Sequence, residues 1–231
     1  MKPLLLLALL ALAARAEPAV EFTGTELRWL RAGWPVIEFA KAQQLPVDIV
    51  VQRQSDAGEA PLAMGYDGGR CLLVLAMRGN PAAESTLDRI EPALLPAAVE
   101  VMFAHELGHC WRHLQGHWHA LPAGFHEAAG DPVDADLRAM RNARREEGFA
   151  DLAGLAWTAS RRPGQYQQVH AWIEAERADQ PVAGAHHDTR AWIRLARDPR
   201  AFGASGPSRT LFEQADALWC EGLREGPGDG D

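Results

Sequence analysis

Two histidines and a glutamate at fixed spacing carry the first chemistry in the chain. His105-Glu106-Leu107-Gly108-His109 sets two imidazoles four residues apart, with a carboxylate next to the first. On a helix that spacing projects both rings from one face, a turn apart, where they can share one ion. Neutral imidazole nitrogens suit Zn2+ at about 2.0–2.1 Å. Glu106 stands beside them to take a proton from a metal-activated water. The run Ala97-Ala98-Val99-Glu100-Val101-Met102-Phe103-Ala104 just upstream is apolar apart from Glu100, which places this helix in a core. The competing reading is a surface helix carrying His and Glu for solubility. Against it, burying two His and a Glu is costly without partners.

A catalytic zinc takes three protein ligands and leaves one position open. A third histidine ten residues after the first is excluded, because position 115 is Gln115. His113 continues the same stripe, but one helix does not readily bring three successive-turn imidazoles onto one ion, so it reads as packing or as a group behind the ligands. The other solution is a glutamate from a later helix. Glu147 and Asp151 form an i, i+4 pair on one face, so Glu147 can reach the ion while Asp151 orients a ligand imidazole. Glu146 competes for the ligand role, but its i+4 neighbour is Ala150, which offers nothing. The bland reading of this segment is an ordinary acidic helix face.

His-Glu-Leu-Gly-His followed by Glu147-Gly148-Phe149-Ala150-Asp151 resembles the gluzincin metallopeptidases. It is most similar to the periplasmic and membrane peptidases related to the CAAX prenyl protease. The resemblance implies a zincin-like fold, Zn2+ on His105, His109 and Glu147, Glu106 as general base, and Asp151 as the orienting carboxylate. It also implies a later histidine near the substrate, either His187 or His186, with Arg190 behind it. This chain lacks the family's Pro after that His, and its Arg is closer. The activity implied is hydrolysis of a peptide or protein substrate. The alternative is a zinc-containing binding or chaperone-like module with little proteolysis, which loss of Glu106 would have favoured. A non-peptide hydrolase is a further alternative, favoured if no edge strand is available to a peptide.

The elements that must position these residues are a few strands followed by helices, an α+β arrangement. Residues 17–45 read as a broken or short helix interrupted by Gly33 and Pro35. Strands are expected at 47–51 and 70–77, with the glycines between them marking turns. The free edge of the second strand is the expected partner for an extended peptide. Helices are expected from Pro92 or Pro96 to Leu114, and over 134–160, 165–179, 187–197 and 209–224. Residues 116–132 form a loop whose His117, His119 and His126 read as solvent-exposed. Trp157, Trp172, Trp192 and Trp219 read as core.

The remaining features place the chemistry. Residues 1–16 carry Lys2, an apolar stretch and Ala14-Arg15-Ala16, the pattern of a secretory signal peptide. The rest, 17–225, reads as a single domain with a frayed end at 226–231. An exported, periplasmic or extracellular location follows as an expectation. The net charge of −8 over 231 residues argues against nucleic acid and anionic lipid as partners. Past residue 16 no stretch is apolar enough to cross a membrane. Three cysteines in an oxidising compartment give one disulfide and one leftover thiol, with the pairing open among Cys71, Cys110 and Cys220.

Overall fold

A computed structural model describes residues 21–56, 58–125, 135–179, 185–203 and 209–225. The expected signal peptide, the frayed end at 226–231 and His126 lie outside these residues. The fold is mixed α+β, a small three-stranded sheet with a larger helical part.

Helix α1 spans Gly24–Ala42 and begins at a capping box, in which Thr23 and Glu26 exchange side-chain and backbone hydrogen bonds. It is one continuous helix, which corrects the broken helix expected over 17–45. Gly33 is a packing site rather than a break: a Cβ there would meet the Phe103 ring at 2.6 Å. Pro35 sits inside the helix. Burial of Trp29, Leu30, Val36, Ile37 and Ala40 supplies the stabilisation that its missing N–H removes.

Strand β1 is Val47–Val51, β2 is Leu62–Asp67 and β3 is Arg70–Leu75, in the order β1-β3-β2. β1 pairs parallel with β3, Val47 opposite Cys71, and β2 pairs antiparallel, Asp67 opposite Arg70. Gly68 and Gly69 turn this hairpin with positive φ at both positions, 54° and 82°, which only glycine adopts freely. Two expectations change here. β2 was not anticipated, because Gly65 reads as a turn and is in fact inside the strand. β3 is also central, with neighbours on both sides, so the strand open to a peptide is β2.

Helix α2, Ala82–Arg89, leads to α3, Leu95–Leu114, which is buried over Ala97–Val101 and again at Phe103, Ala104 and Leu107. Its apolar surface is broader than a single stripe because α1, β2 and α4 all pack on it. Helix α4, Ala135–Arg161, crosses α3 at small residues. A Cβ on Gly108 would lie 3.0 Å from the Ala150 Cα, and one on Gly154 would lie 2.9 Å from the Val101 carbonyl oxygen. A short 3-10 turn at Pro163–Gln165 precedes α5, Tyr166–Ala178.

Helices α6, Arg190–Leu195, α7, Arg200–Gly203, and α8, Leu211–Glu225, cover the far side of α4. α6 is shorter than the expected 187–197, because His186 and His187 lie in a turn closed by the Asp188 and Thr189 backbone N–H groups. Trp157, Trp192 and Trp219 are buried in the core, whereas Trp172 is only partly buried. Cys71 and Cys110 form a disulfide joining β3 to α3, and Cys220 is the free thiol. No described helix is long and apolar enough to cross a membrane.

Candidate metal centre

The close crossing at Gly108 brings the first turns of two motifs together. His105 and His109 project from α3 and Glu147 from α4. The His105 and His109 Nε2 atoms lie 3.1 Å apart. His105 Nε2 is 3.3 Å from one Glu147 carboxylate oxygen, and His109 Nε2 is 3.4 Å from the other. Four-coordinate tetrahedral zinc with bonds near 2.0–2.1 Å sets its ligand atoms about 3.3 Å apart. The three separations match that edge length, and the donor set is two imidazoles and a carboxylate. These three residues are the group of potential ligands found among the described residues, and His187 is not within it.

Asp151, one turn beyond Glu147, sits 2.9 Å from His105 Nδ1 and so leaves Nε2 free to face the cluster. Asp151 is itself fixed from three directions. Arg177 on α5 donates to both of its oxygens at 2.8 and 2.7 Å, and the Thr189 hydroxyl donates as well. Burial disfavours its charge, but the Arg177 guanidinium and the His105 contact outweigh that and hold the carboxyl below its usual range. Burial likewise opposes protonation of His105, yet the hydrogen bonds and charges of Asp151 and Glu147 prevail and raise its pKa to about 10. Glu147 is driven well below the ordinary carboxylate range by the two imidazoles, against the pull of burial.

No protein-family model, curated protein or solved structure matches the chain. The functional reading therefore rests on the residues themselves.

Glu106 lines the same cleft, of about 530 Å³. Burial raises its pKa, and the positive field of His105 and His109 pulls the other way. His187 reaches the cleft with its Nε2 3.4 Å from Glu147, whereas His186 is exposed and lies against the His187 ring at a tilt of 52°. Burial, opposed by the Glu147 charge, lowers the His187 pKa to about 4, so its ring is neutral at ordinary pH. Arg190 does not bridge helices; its guanidinium pairs with Asp188, two residues away. Leu62, Ala63 and Met64 of β2 and Trp172 of α5 form other walls of the cleft.

Glu146 points away from the cluster. It accepts two hydrogen bonds from the buried Arg112, at 3.0 and 2.9 Å, and one from the His119 backbone N–H at 2.8 Å. His113 packs as expected, stacked between Tyr66 and Trp118. His117 and His119 are exposed, and each also stacks or edges onto a tryptophan. Arg177, Thr189 and Trp118 were not anticipated. Arg177 lies in Glu174-Ala175-Glu176-Arg177, which reads as a solvated helix end, and Thr189 and Trp118 belong to no motif.

Proposed function

We propose that the chain is an exported zinc metalloendopeptidase with a gluzincin-type site in a zincin-like fold. The observation that carries this reading is the convergence of the His105 and His109 Nε2 atoms on each other and on the two Glu147 carboxylate oxygens, at 3.1, 3.3 and 3.4 Å, with Glu106 in the same cleft. His105, His109 and Glu147 would hold zinc, which would supply Lewis-acid polarisation of a carbonyl and activation of a water.

This chain's residues do the rest. Glu106 takes the proton of the attacking water, a role its raised pKa suits, and passes it to the leaving amine. Neutral His187 donates a hydrogen bond to the oxyanion that develops on the carbonyl. Asp151, clamped by Arg177 and Thr189, keeps His105 in the tautomer that presents Nε2 to the metal. Among the described residues β2 pairs only with β3, which leaves its other edge to pair with an extended peptide running along the cleft. That edge favours a peptide over a small non-peptide ester or amide. The Cys71–Cys110 disulfide supports export to an oxidising compartment.

The test compares metal content and peptide cleavage for wild type and Glu106→Gln. The expected result is one zinc in each and cleavage lowered by about 10²–10⁴-fold in the variant. Wild type without zinc, or equal cleavage by both, overturns the proposal. Equal zinc with no cleavage by either would favour the zinc-containing binding module instead.

A further inference from the structure

The two ligand histidines are held in different ways. His105 has the Asp151 carboxylate on its Nδ1. The His109 Nδ1 is buried and has no hydrogen-bond partner among the described residues. Among the described residues no polar group therefore fixes that ring from its Nδ1 side. Metal-ligating histidines almost always have such a partner.

What meets the His109 ring instead is aromatic. Trp118 stands against it edge to face, with centroids 5.6 Å apart and planes at 75°. Trp118 is itself the centre of a ring stack: His113 lies 4.0 Å from it at 15°, and His119 lies 4.9 Å from it at 23°. Tyr66 of β2 extends the stack on His113 at 4.7 Å. The loop that carries Trp118 is also anchored. The Arg112–Glu146 pair, whose side chains are each 2% exposed, accepts the His119 N–H and donates to the Ala120 carbonyl at 2.9 Å. Gly116 and His119 turn the loop with positive φ, 68° and 59°.

We infer that Trp118 is a positioning residue for His109, performing by ring packing what Asp151 does for His105 by hydrogen bonding. The Arg112–Glu146 pair sets its place by holding the two residues that follow it. The inference rests on the metal-site reading of His105, His109 and Glu147. It gives the buried Glu146, the rejected ligand candidate, a defined purpose in the same site.

Zinc affinity measured by competition with a chromogenic chelator tests this, with the metal-free melting temperature followed in parallel. Wild type and Trp118→Phe should bind one zinc with equal affinity. Trp118→Ala should bind roughly tenfold more weakly, with its metal-free melting temperature unchanged. Equal affinity in Trp118→Ala overturns the inference, as does a loss that Phe fails to restore. A fall in metal-free stability large enough to account for the weaker binding also overturns it. If Trp118→Ala does not fold, Trp118→Leu, which fills space without a ring, takes its place in the same comparison. A wild type that binds no zinc overturns the metal site itself and is distinct from each of these outcomes.

Discussion

On the proposed reading of the site, metal uptake at His105 should displace a proton. Its pKa of about 10 in the side-chain cluster means that Nε2 is protonated near neutral pH, whereas a ligand nitrogen must be free. Zinc binding at pH 7.5 should therefore release close to one proton, read as the dependence of calorimetric heat on buffer ionisation enthalpy. Release of none would show that His105 is neutral before binding. The same shift has a stability sign. The His105 pKa is raised on folding, so its contribution to the metal-free protein is complete below about 6.5 and is lost as pH rises towards 10. The metal-free melting temperature should fall across that alkaline window. Asp151 and Glu147 are shifted down and act oppositely, losing their contribution as the solution becomes acid. The neighbouring glutamates separate cleanly by substitution. Glu147→Ala should lose zinc. Glu146→Ala should keep a zinc site, with weaker affinity, and destabilise the fold by about 3–5 kcal/mol in chemical denaturation, because buried Arg112 loses its closest carboxylate partner. The reverse pattern would reassign the ligand. The three donors, Glu106 and Asp151 were legible because helical spacing puts them on defined faces. Arg177 and Trp118 were not, because each reaches the site from an element whose own sequence carries no sign of it.

Among the elements, the crossing of α3 and α4 determines whether Glu147 reaches the histidines. Gly108 and Ala150 are the point of closest approach near the site. Gly108→Ala should push the two helices apart by a few tenths of an ångström, weaken zinc binding and lower stability by roughly 1–3 kcal/mol. Unchanged zinc affinity in that variant would show that the site tolerates a wider crossing. Helices α3, α4, α5 and α8 were legible to within a residue or two at most ends, because their apolar residues recur at helical period. Strand β2 was hidden by its composition: Gly65 and its flanking glycines imitate a turn, and pairing with β3 overrides that local preference. Helix α1 was read as broken because Gly33 and Pro35 are local breakers; the packing of Phe103 against Gly33 and the buried face of the helix explain their tolerance. The stretch before α6 was read as helical although it turns at His186–His187, which is the geometry that lets His187 face Glu147.

Across the whole molecule, α3 is pinned at consecutive residues to two different layers. His109 faces Glu147 of α4, and Cys110 is bonded to Cys71 of β3. Removing the bond in the Cys71→Ser, Cys110→Ser double variant should lower stability by roughly 2–4 kcal/mol in urea denaturation. No change would mean that the buried packing around α3 already holds the sheet in place. The order in which these pins become available follows from chain direction. A growing chain presents Cys71 and then Cys110 before any residue of α4 has been made. The sheet and the helix bearing both histidines can thus be fastened to one another early, as a preassembled half that waits for its partner. Glu147 arrives later, on a helix that must dock against that half. A chain stopped short of α4 would carry the histidines but lack the carboxylate that faces them.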